Sequence, residues 1–258
     1  MVKIKGYIKR KTMLYKTGVE YGDYTMNHVQ GCSHGCLYPC YAYLMKKRFG
    51  VIRSYDEWKE PCLVSNTLEL LDKEIPRMKD KIKSVHLCFS TDPFMYQYPE
   101  IEKMSIDAIK KLNSSGIKCV VLTKGILPSE LATLYKKNEY GITMVTTKDE
   151  LRKRFEPYSA PLGKRLKALE SLHNKGYKTW VSIEPFPTPN IFEQDLDELL
   201  NRVRFVDKVV FGRMHYNKEV TAYKVAKEFF NESANKVIEF CKTHNISYHI
   251  KKGTITEL

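Results

Sequence analysis

The strongest constraint on the fold of this chain is an alternation of short apolar runs with longer amphipathic stretches that begins at residue 84. Such an order is typical of parallel strands that are joined by right-handed helical crossovers. The apolar runs lack a clean alternation of apolar and polar residues, as expected for strands that are covered on both faces. The predicted strands are 84–90, 117–123, 140–147, 177–184 and 207–213, and the predicted helices are 100–114, 128–137, 160–175, 193–202 and 218–243.

A further strand at 26–30 and a helix at 65–75 extend this pattern to six β/α units. Six units are too few for a closed eight-fold barrel, so the α/β fold is either a partial (β/α)6 TIM-like barrel or a doubly wound sheet. We expect residues 1–24 to form a basic N-terminal arm. Residues 25–258 are expected to form a single domain that ends with a helix and a strand.

Reactive side chains follow the predicted strands. Because the carboxyl ends of parallel strands meet at one rim, we expect the residues just after each strand to line one cavity. A domain without a ligand site would not be expected to carry reactive groups at every strand end. The residues concerned are Cys32, Cys36 and Cys40 after the first strand, and Ser90, Thr91, Asp92, Lys124, Glu156 and Glu184 after the later strands.

Three cysteines at intervals of four residues define the loop "GCSHGCLYPC" (31–40). Thiolates in a compact loop suit zinc, copper(I) or an iron–sulfur cluster. Zinc would need a fourth ligand, which His34 or His28 could supply. A four-iron cluster on three cysteines would leave one iron open to a small molecule. Gly31 and Gly35 allow the loop to bend back on itself. Spacing alone leaves the metal open, including the case of no metal.

Charge and composition restrict the cellular setting. The chain has 43 Lys+Arg against 30 Asp+Glu, a net charge of +13. This charge favours a surface that attracts phosphates, although it also fits a solubilising surface. The absence of an apolar run of 18 residues predicts no membrane span, and seven scattered cysteines indicate reduced thiols in the cytoplasm. The basic residues that precede the first acidic one are Lys3, Lys5, Lys9, Arg10, Lys11 and Lys16.

Four stretches, in order, resemble the radical S-adenosylmethionine (SAM) superfamily, and within it the spore photoproduct lyase-like group. They are "GCSHGCLYPCYA", "CFSTDPFMYQYPE", "VLTKG" and "MVTTKDELRKRFEPYSAPLGKRLKALESLHNKGYKTWVSIEPFPTPN". The resemblance implies a partial (β/α)6 barrel that holds a 4Fe–4S cluster and SAM. It also implies an external electron donor, such as flavodoxin or ferredoxin, and cleavage of SAM to a 5′-deoxyadenosyl radical that takes hydrogen from a substrate.

The resemblance also implies roles for individual residues, carried over by position. Three would ligate the cluster and seven would contact SAM, among them an aromatic residue beside the adenine and the acidic and basic residues of an "EP…R" stretch. The implied cluster ligands are Cys32, Cys36 and Cys40, and the implied SAM contacts are Tyr38, Ser90, Thr91, Lys124, Glu156, Arg165 and Glu184.

Two departures from the family pattern bear on the chemistry. The usual cysteine spacing is three residues and then two, whereas Pro39 makes the second interval three here. Either the loop absorbs the added residue without moving the thiolates, or the chain belongs to an atypical subgroup with a shifted SAM geometry. The second departure is Cys88, which lies one position earlier than the hydrogen-donating cysteine of spore photoproduct lyases when the sequences are aligned on Asp92. One position reverses the direction of a side chain on a strand, so Cys88 is either a hydrogen donor or a core residue.

Three functions follow from these observations. The first is a radical SAM enzyme that acts on DNA or RNA, with lyase-like DNA repair as the named activity of the group. The second keeps the radical chemistry but has a peptide or small metabolite as substrate, which the absence of a well-placed donor cysteine favours. The third is a zinc-stabilised nucleic-acid-binding module without catalysis.

Overall fold

The computed structural model describes residues 2–257 and contains eleven strands and nine α-helices within them. The strands are β1 (Gly6–Ile8), β2 (Tyr15–Lys16), β3 (Tyr24–Met26), β4 (Val29–Gln30), β5 (Cys62–Val64), β6 (Ser84–Leu87), β7 (Lys118–Thr123), β8 (Glu139–Thr143), β9 (Lys178–Phe186), β10 (Lys208–Arg213) and β11 (Ser247–Ile250). The helices are α1 (Tyr41–Arg48), α2 (Tyr55–Trp58), α3 (Thr67–Met78), α4 (Pro99–Ser114), α5 (Asp149–Phe155), α6 (Leu162–Asn174), α7 (Leu196–Arg202), α8 (Lys218–Ala222) and α9 (Ala226–Thr243).

Eight strands form one sheet in the order β11-β10-β9-β8-β7-β6-β3-β2. All neighbours from β3 to β11 are parallel, and β2 joins the edge antiparallel to β3. This confirms the predicted alternation and adds β11 as a seventh parallel strand. Within the described residues β2 and β11 do not pair with each other, so the sheet is a partial TIM-like barrel.

The core lies between the outer face of this sheet and the helices. Ile142, Val181 and Val209 are neighbours in register on β8, β9 and β10, and all three are completely buried. Their chain neighbours Gly141 and Trp180 point to the inner face, because successive side chains alternate along a strand. Apolar residues on the outer face therefore pack against the helices, and the rim at the carboxyl ends of the strands remains for polar groups.

Residues 17–23 cross the gap between the two edges of the sheet. The carboxylate of Glu20 accepts a hydrogen bond from the backbone N–H of Lys252 at 3.1 Å and lies 2.8 Å from His249 Nε2. The ring of Tyr21 packs edge-on against Trp180, with 5.9 Å between ring centres. Aromatic side chains therefore fill the barrel near the start of β9, and the carboxyl ends of the strands remain for ligands.

Two predicted elements are wrong in detail. The predicted helix 128–137 is only a 3-10 turn at Ser129–Thr133. The Thr133 hydroxyl donates to the carbonyl of Glu130 at 2.8 Å, a local bond that competes with helix continuation, and Leu134 is already extended. The predicted helix 218–243 is divided into α8 and α9.

The predicted first strand 26–30 is also divided. Its beginning belongs to β3 in the barrel, whereas β4 pairs with β5 in a separate three-stranded sheet of order β1-β5-β4. The basic arm joins the same small sheet through β1, which runs parallel to β5. The arm is therefore separated by one strand, β5, from the strand β4 that leads into the cysteine loop. Within residues 2–257, no helix is both long and apolar enough to cross a bilayer.

Candidate active site

The cysteine loop connects β4 to α1 and begins at a glycine that no other residue could replace without strain. Gly31 has a φ of +89°, and a Cβ there would lie 2.9 Å from the carbonyl oxygens of Trp58 and Glu60. The next amide, that of Cys32, donates to the Trp58 carbonyl at 2.8 Å. The loop is thus pressed against the end of α2, which needs a residue without a side chain.

The second half of the loop rests on residues 155–158. The amide of Leu37 donates to the carbonyl of Phe155 at 2.8 Å. Gly35 has a φ of +65°, and a Cβ there would lie 2.7 Å from the ring of Tyr158. These contacts join two parts of the chain that the sequence separates by more than a hundred residues.

The three loop cysteines are free thiols, and burial disfavours the charged form of Cys32 and Cys36. Burial and then the neighbouring Cys36 raise the pKa of Cys32, and burial raises the pKa of Cys36 to about 11 although Lys124 opposes it. Lys124 Nζ lies 3.7 Å from Cys36 Sγ. A cationic iron centre would stabilise the thiolates that this environment disfavours, so the donor set fits such a group.

The geometry fits a single metal ion less well than a cluster. Among residues 2–257, no three His, Cys, Asp or Glu side chains gather closely enough to hold one ion. Each cysteine of a four-iron cluster binds a different iron, so the sulfurs need not converge on one point. The predicted zinc ligand His28 is engaged elsewhere, because its Nε2 lies 2.7 Å from Ser105 Oγ and its Nδ1 lies 3.5 Å from Cys88 Sγ.

Asp92 connects two strand ends to the cysteine loop. Its carboxylate lies 2.8 Å from His34 Nε2, accepts from the Thr123 hydroxyl at 2.6 Å and accepts from the Lys124 amide at 2.7 Å. Burial opposes ionisation, but His34 and these donors lower the pKa of Asp92 overall. The Nδ1 of His34 is buried without a hydrogen-bond partner among the described residues, and it is available to a group in the loop. The sequence placed Asp92 at a strand end, but its role as a connector was missed.

A buried charge network lies beneath the loop around Glu156. One carboxylate oxygen accepts from Arg165 at 2.8 Å, and the other accepts from the Tyr38 hydroxyl and lies 3.4 Å from Lys124 Nζ. Burial opposes the charge on Glu156, yet Lys124 and Arg165 outweigh it and lower its pKa to about 2. The site residues Tyr38, Lys124, Glu156 and Arg165 are therefore brought together. Protein groups enclose the last two, so direct SAM contact by them stays a prediction.

An apolar cavity lies beside Tyr38. Its lining includes Phe155, Phe192 and Met214, and the Tyr38 and Phe155 rings stack with 6.3 Å between centres. The free space in this cavity holds about one water molecule and is too small for an adenine. The place of Tyr38 beside an adenine therefore stays a prediction.

The hydroxyls of Ser90 and Thr91, which follow β6, point to the residues that follow β3. Ser90 Oγ donates to Asn27 Oδ1 at 2.8 Å, and the Thr91 hydroxyl donates to the Val29 carbonyl at 3.3 Å. Both residues are partly exposed at the rim. They are positioned to reach a rim ligand, and their SAM contacts stay predictions.

Glu184 lies at the end of β9 and faces the last strand. Its carboxylate lies 3.7 Å from Lys251 Nζ, and a Cβ on Gly212 would lie 3.0 Å from its Cδ. Burial raises the pKa of Glu184, and Lys251 and Lys124 reduce that shift. The charge of Lys124 thus acts to lower the pKa of both Glu156 and Glu184. Glu184 is nevertheless paired with Lys251, whereas Glu156 is paired with Lys124 and Arg165.

Cys88 occupies a core position. It is 3% exposed, packs with Val29, Leu63 and Ile101, and its burial raises its pKa to about 12. These contacts match the apolar core alternative for Cys88. Its role as a hydrogen donor stays a prediction.

The match to a protein family decides the identity of the site. The model of the radical SAM superfamily matches residues 26–203, from the first barrel strand to the end of α7. The chain belongs to the radical SAM superfamily. Enzymes of this superfamily use a 4Fe–4S cluster and SAM, and both cofactors were expected from the sequence. This radical SAM chain is therefore an enzyme of that class and not a non-catalytic zinc-stabilised module. Cys32, Cys36 and Cys40 stay the predicted cluster ligands.

Two curated proteins are similar in sequence to this radical SAM chain. The uncharacterized protein MJ0683 of Methanocaldococcus jannaschii is 28% identical over 181 residues, which are 69% of this chain and 66% of that protein. The uncharacterized protein ORF301 of Acidianus two-tailed virus is 27% identical over 217 residues, 78% of this chain and 70% of that protein. The matches therefore leave about a third of each relative uncovered.

Solved structures confirm the fold. Spore photoproduct lyase complexed with dinucleoside spore photoproduct matches with a TM-score of 0.67 at 14% identity, over 95% of this chain and 80% of that chain. SuiB of Streptococcus suis bound to S-adenosylmethionine matches with a TM-score of 0.55 at 12% identity, over 88% of this chain and 46% of that chain. The partial barrel and the likeness to spore photoproduct lyase are confirmed.

Proposed function

We propose that this radical SAM enzyme acts on a nucleic acid, in a lyase-like repair reaction. The position of the basic arm carries the proposal. Through β1, β5 and β4 the arm is joined to the cysteine loop, so a nucleic acid bound along it would lie next to the site. Its exposed lysines Lys3, Lys9, Lys11 and Lys16 form no ion pair within residues 2–257 and are free to contact phosphates.

The residues of this chain would prepare the site for radical chemistry. When bound, the reduced cluster and SAM supply a 5′-deoxyadenosyl radical that takes a hydrogen atom from the substrate. Asp92 and Glu156 fix the loop from two sides, and Lys124 places a positive charge 3.7 Å from a ligand sulfur.

One observation favours a second candidate, modification of a peptide or small metabolite. A lyase that restores its substrate needs a group that returns hydrogen, and Cys88 lies in the core beside His28. A reaction that leaves the product oxidised needs no such donor.

Binding of DNA labelled with a fluorophore tests the substrate class. In anisotropy titrations at several salt concentrations, the affinity should fall linearly on logarithmic axes. The variant Lys9→Glu/Lys11→Glu/Lys16→Glu should lower that slope by about one per lost phosphate contact. The matched triple variant Lys167→Glu/Lys175→Glu/Lys178→Glu, around α6 and at the start of β9, changes the same number of charges at exposed positions and should bind like the wild type. No binding at low salt would contradict the proposal.

Product formation separates the two candidates. The enzyme is reconstituted anaerobically with iron and sulfide, reduced with dithionite and given SAM. The yield of 5′-deoxyadenosine is then compared with and without DNA that carries a thymine dimer lesion. A yield that changes with lesion DNA supports the proposal, and a yield that responds only to peptides supports the second candidate.

A further inference from the structure

Exposed hydrophobic side chains are concentrated in one segment. Residues 37–51, which we call the loop–helix patch, comprise the end of the cysteine loop, α1 and the turn after it. They carry six of the fourteen large hydrophobic side chains that are exposed in residues 2–257. Within α1 only Ala42 is buried, so the helix has almost no support from the core. The six exposed side chains are Leu37, Tyr41, Leu44, Met45, Phe49 and Val51.

The loop–helix patch is also basic throughout. The chain has no acidic residue from position 24 to 55. Lys46, Lys47 and Arg48 form the last turn of α1, and none of them has an ion-pair partner in the part of the chain that the structure describes. A large apolar area with unpaired cations marks a surface for an acidic protein partner.

The loop–helix patch lies directly against the predicted cluster ligands. Leu37 follows Cys36, and Tyr41 follows Cys40. A partner that contacts Leu37 and Tyr41 would therefore touch the chain neighbours of two predicted ligands. Leu37 is 64% exposed, whereas its neighbour Tyr38 is 5% exposed. The route from this surface to the cluster is therefore short.

We propose that the loop–helix patch is the docking surface for an acidic one-electron carrier protein of the flavodoxin or ferredoxin class. One electron passes from the reduced carrier to the cluster, so the carrier is oxidised by one electron and the cluster is reduced by one. No bond forms or breaks in this step. The proposal rests on the proposed radical chemistry, but not on the nucleic-acid substrate.

The chemistry of the patch favours a protein over a nucleic acid. Tyrosine, phenylalanine, methionine and arginine are the residues enriched in the centres of protein interfaces, and the patch contains all four. A phosphate backbone would pair with the cations but leave the six hydrophobic side chains in water. The basic arm lacks such a concentration of aliphatic side chains, so the two surfaces suit different partners.

Binding to cluster-free protein provides the first test. A purified flavodoxin of net negative charge is titrated by calorimetry at low and high salt. We expect the variant Lys47→Glu/Arg48→Glu to weaken binding by about tenfold or more, and added salt to weaken wild-type binding. The control Lys224→Glu/Lys242→Glu should bind like the wild type. Binding that neither salt nor the patch variant changes would overturn the proposal.

Reduction of the cluster provides the second test. The cluster signal in electron paramagnetic resonance is followed after mixing with reduced flavodoxin or with dithionite. Phe49→Ser and the charge variant should slow reduction by flavodoxin and leave reduction by dithionite unchanged. Equal slowing of reduction by dithionite would overturn the proposal. It would also be overturned if the patch variants lost DNA binding but still bound flavodoxin like the wild type. Should lesion DNA have no effect while the patch variants behave as expected, only the nucleic-acid substrate would be rejected.

Discussion

Replacement of Glu156 by glutamine tests the buried charge network beneath the cysteine loop. Glu156 is 2% exposed, and it faces Arg165 at 2.8 Å and Lys124 at 3.4 Å. Glutamine keeps the size of the side chain and an acceptor for the Tyr38 hydroxyl, but it removes the charge. The buried Arg165 and the partly exposed Lys124 then lose their shared carboxylate.

The expected magnitude follows from two separate arguments. Against the cost of burial, Lys124 and Arg165 lower the pKa of Glu156 from 4.5 to about 2, which corresponds to roughly 3 kcal/mol in favour of the carboxylate. Removal of one member of a buried ion pair typically costs about 3–5 kcal/mol. We therefore expect Glu156→Gln to lower the free energy of unfolding of the cluster-free protein by about 3 kcal/mol.

Urea denaturation followed by circular dichroism measures this loss as a lower midpoint at an unchanged slope. Glu69→Gln removes an exposed partner of Lys73 and should leave the midpoint unchanged. The losses caused by Glu156→Gln and Arg165→Met should not add in the double variant, because the two substitutions remove members of the same ion pair. A Glu156→Gln protein that unfolds at the wild-type urea concentration would refute the reasoning.

The same network predicts a pH dependence with a defined sign. A carboxyl group with a lowered pKa in the folded state contributes stability above its unfolded pKa, and this contribution is lost as pH falls through the folded pKa. Wild-type protein should therefore lose stability as pH falls from 4.5 towards 2, and Glu156→Gln should lack this component. Urea midpoints measured from about pH 5 down to about pH 3 should converge for the two proteins. A constant difference across this range would contradict the assignment.

Three further substitutions test single positions. Cys36→Ala should abolish stable binding of iron and sulfide after anaerobic reconstitution, measured by metal analysis, and a full cluster would overturn the ligand assignment. Gly31→Ala should destabilise the fold by about 1–3 kcal/mol, measured in urea, because φ is +89° and two carbonyl oxygens lie 2.9 Å from the new Cβ. Cys88→Ala should leave formation of 5′-deoxyadenosine unchanged, and repair that fails while the nucleoside still forms would identify Cys88 as the hydrogen donor.

Features that depend on residues close together in the chain could be predicted from the sequence. The alternation of strands and helices depends on local periodicity, and the parallel sheet followed from it. The choice of a partial barrel over a doubly wound sheet depended on the family resemblance. The cysteine loop was evident from its spacing, and Lys124 and Glu156 from their places after strands. Leu162, Leu169 and Leu172 are buried on one face of α6 as their spacing predicts. Each of these depends on residues close together in the chain, whose geometry the backbone determines.

Tertiary structure alone decided which groups became partners. Tyr38 bonds to Glu156 across 118 residues, and His34 bonds to Asp92 across 58. Periodicity reports which side of an element is apolar, but not which distant side chain it meets. For the same reason the sequence could not show that α1 would keep its hydrophobic side chains in solvent. The chemistry of the loop is thus local, whereas the charge network that holds it in place exists only in the folded protein.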